Sequence, residues 1–126
     1  MSNGGTGRQY HTQQTHYIAV TVEGSDGAQT LDVGKIPKGS FIIGAGIVVG
    51  TALNGAATVS MGPSADPDGF ASAVSIASTG LKPADDLATS NDLYAADEIT
   101  IQATVGGNPT AGKAMVFVEY IPDNRS

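Results

Sequence analysis

The sequence predicts an all-β protein, an antiparallel β-sandwich or jelly roll of about seven or eight short strands with an extended N-terminal arm. Apolar and polar residues alternate with period two in several segments of the 126-residue chain, which is the pattern of half-buried strands. Turn-forming residues separate these segments, since Gly and Pro make up 18% of the chain. Only the stretch 71–88 leaves room for a helical turn. Short antiparallel strands joined by turns are therefore the expected architecture.

The first fourteen residues are predicted to form a flexible arm. They contain three Gly and three Gln and no apolar pattern beyond Tyr10, so burial cannot offset the cost of ordering the backbone. Two interpretations stay open: a disordered terminus, or an arm that docks on a neighbouring subunit. The sandwich domain is predicted to span 15–122, followed by a polar tail at 123–126. The segment 1–14 lacks the apolar core of a signal peptide, and no stretch approaches the ~18 apolar residues of a membrane span.

The first predicted strands follow this arm. In the segment 15–22 every second residue from Ile18 is apolar, which predicts a half-buried strand. The segments 24–27 and 37–39 are rich in Gly, Pro and Asp and predict turns. The residues 29–33 between them predict a second, short strand.

The middle of the chain contains its most apolar stretch. Residues 41–51 (FIIGAGIVVGT) predict a strand, because β-branched residues favour strands and the three glycines disfavour a helix. Asn54-Gly55 predicts a hairpin turn, and residues 57–61 alternate as its return strand. A loop is expected at 62–70. Two interpretations of the segment 71–88 stay open. It forms either a helical turn around 83–88 or short strands with long connections.

The C-terminal third predicts a short strand at 91–95 and a clearly alternating strand at 98–105. A loop at 106–112 precedes the last strand, 113–121. The apolar residues of that strand are Met115, Phe117 and Ile121 on one face, and Val116, Val118 and Tyr120 on the other. A strand that is apolar on both faces is expected in the centre of a sheet or under a partner.

The composition excludes several kinds of function. Without Cys, the chain has no disulfide, no zinc-thiolate site and no thiol nucleophile. A net charge of −6 argues against a protein that wraps duplex DNA or lies on an anionic membrane surface. Only 14% of residues are charged, whereas Gly, Ala, Ser and Thr make up 44%. A surface so poor in charge is typical of a subunit partly covered by other subunits.

Side chains suited to catalysis are few. The two histidines, His11 and His16, lie in or just after the arm, where a catalytic group is difficult to preorganise. Five residues apart on a strand, they would face opposite sides. Ser40 and Ser60 lie in strand patterns, and no Gly-x-Ser-x-Gly motif is present. A triad assembled in space and a ring of His16 around a symmetry axis stay open, but we expect no enzyme and no cofactor.

The acidic residues predict turns rather than metal sites. Asp66-Pro67-Asp68-Gly69 resembles half of a calcium loop but lacks a third oxygen donor and a later bidentate Glu. Asp85-Asp86 is suited to capping a helix or accepting a cation, without a supporting ligand pattern. Asp97-Glu98 is interpreted as a solvated strand start. We therefore expect no metal ion.

The aromatic residues define no evident platform for a carbohydrate. Phe41 and Phe117 are predicted to lie in the core. The other aromatic residues are candidates for exposure on the surface: Tyr10, Tyr17, Phe70, Tyr94 and Tyr120. A glycan-binding module with an aromatic cluster around Tyr94 or Phe70 stays open as an alternative.

One order of features extends over residues 15–121. A short strand leads to IPKGS (36–40) and the apolar strand, and an Asn-Gly turn precedes VSMG (59–62). The acidic loop ADPDGF (65–70) follows, and EITIQA (98–103) and GKAMVFVEY (112–120) close the chain. This order resembles that of small structural proteins of tailed bacteriophages, in particular capsid decoration (cement) proteins and related head components.

The resemblance implies a β-sandwich or jelly-roll subunit that forms a homotrimer on the outer surface of the icosahedral head. Such trimers clamp neighbouring major capsid proteins against internal DNA pressure. No catalysis, cofactor, nucleic acid or membrane is implied. The family has no fixed motif to transfer, so contact residues are expected from the arm and the first strand: Arg8, Gln9, Tyr10, His11, Gln13 and Tyr17. Another virion component (head fibre base, tail or adaptor subunit) stays open.

Overall fold

The computed structural model describes residues 15–87, 90 and 93–122. Within them the chain forms two four-stranded antiparallel sheets, so the predicted all-β sandwich is confirmed. The first four strands are β1 (His16–Glu23), β2 (Gln29–Ile36), β3 (Phe41–Thr51) and β4 (Thr58–Pro63). The last four are β5 (Ala71–Ser75), β6 (Gly80–Pro83), β7 (Ile99–Gly106) and β8 (Lys113–Ile121). A 3-10 turn, Gly24–Asp26, follows β1 where the composition predicts a turn.

Each strand of the first half of the chain pairs with at least one strand of the second half. The strand order is β1-β8-β3-β6 in the first sheet, called sheet A, and β2-β7-β4-β5 in the second, called sheet B. The first strand therefore pairs with the eighth, the second with the seventh, the third with the sixth and the fourth with the fifth. The eight strands thus form a nested set of four antiparallel pairs, two in each sheet. The last strand lies between β1 and β3, which is the central position, one of the two alternatives that its two apolar faces left open.

An apolar core fills the space between the sheets. Alternate residues of β7 and β8 point into it, as the period-two pattern predicts. The largest fully buried side chains are Phe70, Ile36, Ile47, Leu53, Met61, Ile76, Ile101, Val22, Val59, Val105, Val116 and Val118. Burying this apolar surface is the main favourable contribution to folding.

The predicted hairpin at Asn54-Gly55 is wrong. The chain does turn there, with positive φ at Gly55 (72°) and Ala56 (56°), but β3 lies in sheet A and β4 in sheet B. The turn connects the two sheets and contacts the β7–β8 loop. The Asn54 carboxamide oxygen accepts the N–H groups of Thr110 (2.7 Å) and Ala111 (3.1 Å), and its nitrogen donates to the Thr110 hydroxyl (2.8 Å).

The ambiguous segment 71–88 forms short strands in its described part. β5 and β6 are followed by a turn, and the Asp85 carboxylate accepts the N–H of Ser72 at 3.3 Å. Of the strand predicted at 91–95, the structure describes residues 93–95, where Tyr94 forms an isolated bridge to Phe41. No helix in the described part of the chain is long and apolar enough to span a membrane.

The predicted core positions of Phe41 and Phe117 are wrong. The neighbours of Phe117 along β8, Val116 and Val118, face the core, so Phe117 points outward and is only half-buried. Phe41 precedes the inward-facing Ile42 and is 56% exposed. Conversely, Phe70 and Tyr120, which were candidates for exposure, are buried. Alternation within β3 and β8 decides the positions of Phe41, Phe117 and Tyr120, whereas Phe70 lies in the loop before β5.

Candidate interaction face

The outer faces of the two sheets differ in chemistry. On sheet B, the outward residues are hydroxyl and amide side chains: Ser60 lies beside Thr104, which lies beside Thr30. The hydroxyl oxygens of Thr30 and Thr104 are 3.4 Å apart. On the next row, Gln102 lies beside Asp32. This face is suited to contact with water.

The outer face of sheet A is apolar. The register places Thr21, Met115, Val48 and Leu81 side by side in one row across its four strands. A shallow groove on this side, hereafter the apolar face, is lined by Tyr17, Val48, Leu81, Met115, Phe117 and Glu119. A second shallow groove continues the same side of the sheet toward Lys113. Contiguous exposed apolar surface of this kind marks interaction sites.

The large apolar side chains that the described residues expose are concentrated on this sheet. Six of the seven lie on its strands: Tyr17, Phe41, Ile43, Val48, Leu81 and Met115. The seventh, Tyr94, packs against Phe41 with the two ring centroids 4.8 Å apart. Scattered exposure of single apolar residues needs no explanation, but its concentration on one sheet does.

Two glycines of β3 leave room for side chains of β8 on the apolar face. Gly46 lies in register with Phe117, and a Cβ at Gly46 would come within 3.2 Å of the Phe117 ring. Gly44 lies in register with Glu119, and a Cβ there would come within 2.9 Å of a Glu119 carboxylate oxygen. Because β3 has no side chains at these two positions, the longer side chains of β8 lie across it. The Gly-rich sequence of β3 is thus explained by close approach.

Charge on the apolar face is sparse and asymmetric. Glu119 is half-buried in it and forms no ion pair with a described residue. At the far end of the sheet, Lys113 pairs with Glu23 at 3.4 Å. The face therefore presents one carboxylate within an apolar surround.

The residues considered for catalysis do not form a site. His16 begins β1 and is exposed, with its ring centroid 5.7 Å from that of Tyr120, whereas His11 lies outside the described residues. The Ser60 hydroxyl accepts the N–H of Ala73 at 2.9 Å, which supports the edge strand β5. The buried Ser40 hydroxyl has no hydrogen-bond partner within the described part of the chain.

The acidic loop is built from turns, as the sequence indicates. The N–H of Asp66 donates to the Pro63 carbonyl at 2.8 Å, and the N–H of Gly69 donates to the Asp66 carbonyl at 2.8 Å. Across residues 15–87, 90 and 93–122, no three His, Asp or Glu side chains are grouped so that they could hold a metal ion.

Of the expected contact residues, Tyr17 lies on the apolar face and is 69% exposed. The other five, Arg8, Gln9, Tyr10, His11 and Gln13, lie outside the described residues. The sequence did not identify Val48, Leu81 and Met115 as surface residues. The signal in the sequence was the last strand, whose two apolar faces indicated either a central position or cover by a partner. The structure shows a central strand with one exposed face.

No protein-family model matches the sequence, and no curated protein matches it. The fold is similar to that of a chain in the cyanophage Pam1 capsid asymmetric unit, with a TM-score of 0.57. The match covers 98% of this chain and 93% of that chain at 18% sequence identity. At this identity the likeness shows a shared fold.

Proposed function

We propose that this chain is a structural protein of a tailed-bacteriophage virion. It acts as a capsid decoration (cement) protein that binds the outer surface of the icosahedral head as a homotrimer and stabilises contacts between major capsid proteins. The observation that carries the proposal is the apolar face, present on a fold shared over 98% of the chain with a chain of a phage capsid. The order of sequence features that resembles decoration proteins supports the same assignment.

The contrast between the two outer faces supports a subunit with one covered and one solvated side. Water contact with Val48, Leu81 and Met115 is unfavourable, and association removes it at about 25 cal/mol per Å² of apolar area. The hydroxyl face of sheet B stays in water without such a cost. A decoration subunit needs this division, because it rests on other subunits and faces the medium.

The charge balance supports a place on the outside of the shell. The chain carries a net charge of −6, so packed DNA would repel it. A homotrimer suits a small subunit with sparse charge, because three weak contacts with the shell reinforce one another once the first has formed. Neither nucleic acid nor membrane is needed as a partner.

Solution mass and shell binding test the proposal together. Light scattering of the purified protein is expected to give the mass of a trimer. The trimer is expected to bind expanded shells of the encoding virus that lack this protein, and to raise their resistance to heat. Antibody labelling of virions in electron micrographs is expected to mark heads and not tails. A stable monomer without affinity for shells, or labelled tails, would contradict the proposal.

A second candidate, glycan binding, is favoured by one observation. The rings of Phe41 and Tyr94 are both exposed and pack at an interplanar angle of 41°, which offers a small aromatic surface. The other candidate for an aromatic cluster, Phe70, is buried and contributes nothing. Binding to a glycan array that is lost in Tyr94→Ala would support this alternative, and the absence of any bound glycan would exclude it.

A further inference from the structure

We infer that the N-terminal segment of one copy, residues 1–14, lies on the apolar face of a second copy. The inference deepens the homotrimer of the proposed function and rests on it. It specifies which surface each copy offers and which segment of the neighbouring copy covers it. Arg8 of one copy meets Glu119 of the next, and Tyr10 enters the groove beside Leu81 and Met115.

Charge complementarity identifies this occupant. The first acidic residue of the chain is Glu23, and Arg8 is the sole Lys or Arg before Lys35. The N-terminal segment is therefore cationic, whereas residues 15–126 contain all twelve acidic residues and five of the six basic ones. The apolar face carries the half-buried Glu119 without an ion pair to a described residue. An arginine is suited to this carboxylate because its planar group forms two parallel hydrogen bonds.

The apolar content of the segment fits the same face. Tyr10 is its one aromatic residue, and the groove is lined by the side chains of Val48, Leu81 and Met115. A tyrosine buries its ring against such side chains and keeps its hydroxyl at the edge in water. Because Arg8 and Tyr10 are two residues apart, they point to the same side of an extended chain. One extended segment can therefore place Tyr10 in the groove and Arg8 at the Glu119 carboxylate at the same time.

The position of β1 indicates that the segment covers another copy and not its own. The segment joins β1 at His16, at the corner of sheet A where His16 lies opposite Tyr120. The row of Val48, Leu81 and Met115 lies level with Thr21, further along β1 in the opposite direction. To cover its own face, the chain would have to reverse direction between Tyr10 and His16.

The sequence disfavours such a reversal. Residues 8–22 contain no Gly, Pro, Asn, Asp or Ser, the residues that form turns most readily, whereas the glycines of the segment all precede Arg8. An extended chain spans about 3.3 Å per residue, so Tyr10 reaches up to roughly 20 Å beyond His16. That reach extends from the corner of one subunit onto the surface of a neighbour.

Disulfide trapping between copies tests the inference directly, and the absence of native Cys makes the result unambiguous. One preparation carries Tyr10→Cys, a second carries Leu81→Cys, and the two are mixed as full-length proteins under mild oxidation without shells. A covalent heterodimer is expected. The matched control replaces Leu81→Cys by Thr30→Cys, an exposed position on the outer face of sheet B, and is expected to give little heterodimer. Equal yields with both partners would overturn the inference.

Charge reversal supplies an independent readout. Arg8→Glu and Glu119→Arg are each expected to weaken self-association by about ten- to hundred-fold, since hydrogen bonds to charged groups contribute about 1.5–3 kcal/mol. The double variant is expected to recover most of that loss, measured by sedimentation at several concentrations. Failure of the double variant to associate better than either single variant would contradict the pairing. A monomeric disulfide in the Tyr10→Cys/Leu81→Cys double variant would place the segment on its own subunit and overturn the inference.

The outcome is separable from the proposed function. Trimers that bind shells but show no cross-link between Tyr10→Cys and Leu81→Cys would overturn this inference and leave the decoration role intact. Cross-linked trimers that do not bind shells would support the inference and contradict the decoration role.

Discussion

At the scale of single residues, the side of the sheet on which a phenylalanine lies decides its role. Phe70 is fully buried between the sheets, whereas Phe117 lies over Gly46 on the outer face of sheet A. Both residues are phenylalanines, but Phe70 belongs to the core and Phe117 belongs to the apolar face. Their substitution should therefore affect different properties of the protein.

Phe70→Ala is expected to lower the free energy of unfolding by about 3–5 kcal/mol, because it leaves a cavity in the core. Phe117→Ala is expected to cost only about 1–2 kcal/mol, because the ring lies over Gly46 on the outer face of sheet A and its removal leaves no cavity between the sheets. Urea unfolding monitored by circular dichroism measures both. Phe117→Ala is expected to reduce self-association and shell binding as well. If Phe117→Ala lowers the free energy of unfolding as much as Phe70→Ala does, the Phe117 ring is part of the core.

Asn54 joins two loops at one end of the sandwich. Its carboxamide accepts two backbone N–H groups and donates to the Thr110 hydroxyl. Asn54→Ala is expected to destabilise the fold by about 1–3 kcal/mol, since two backbone donors lose their partner. Ser78→Ala, which removes an exposed hydrogen bond to Lys82, is the control and is expected to stay within about 0.5 kcal/mol of wild type in thermal melts. Equal effects of the two changes would mean that the loop contact does not contribute to stability.

At the scale of the strands, β3 and β8 create the apolar face together. The outward side chains of β8 lie over the glycines of β3, and Val48 and Leu81 continue the surface toward the edge strand β6. None of these outward residues is needed to fill the core. A charge placed among them should therefore leave folding intact and impair association.

Leu81→Lys places a cation at a 65% exposed position of β6. The melting temperature is expected to stay close to that of wild type, because surface substitutions usually change stability by less than about 0.5 kcal/mol. Self-association and binding to shells are expected to fall at least about tenfold, since a lysine in the covered face would have to lose its water. Thr30→Lys on sheet B makes the same charge change and is expected to leave association unchanged. Equal weakening by both variants would point to net charge instead of the apolar face.

Most strands could be predicted from the alternation of apolar residues, because one buried face imposes period two on the sequence. β3 and β8 begin and end where the sequence indicates. The pairing of the strands could not be predicted in this way. Asn54-Gly55 specifies a turn, but it contains no information on whether the chain returns to the same sheet or crosses to the other.

The apolar face was equally difficult to predict. A strand with two apolar faces has the same sequence whether its second side is covered by its own chain or by another molecule. The structure decides between these cases for Met115 and Phe117, because nothing in the described part of the chain covers the outer side of sheet A. The role of Gly44 and Gly46 depends on their register with β8, which sequence alone does not provide.

At the scale of the whole molecule, the described core lies between the two sheets. The buried residues all lie between Val22 and Tyr120. We expect residues 1–14 to contribute to contacts between molecules more than to the stability of one subunit.

Deletion of residues 1–14 is expected to leave the far-ultraviolet circular dichroism spectrum unchanged and to shift the melting temperature little at low protein concentration. Attachment to shells and self-association are expected to fall strongly, as measured by co-sedimentation and light scattering. Deletion of the four C-terminal residues, 123–126, is the matched control and should affect neither property. An equal loss of folding and attachment in the N-terminal deletion would contradict a role confined to contacts.

The contact of Asn54 with the β7–β8 loop also bears on chemical ageing. An Asn followed by Gly is prone to deamidation, because the N–H of the Gly can attack the carboxamide carbon, release ammonia and leave a succinimide that opens to Asp or isoaspartate. In this fold the carboxamide of Asn54 is bound at both its oxygen and its nitrogen, so rotation toward Gly55 would break three hydrogen bonds. The folded protein should therefore retain its Asn54 far longer than its unfolded chain does.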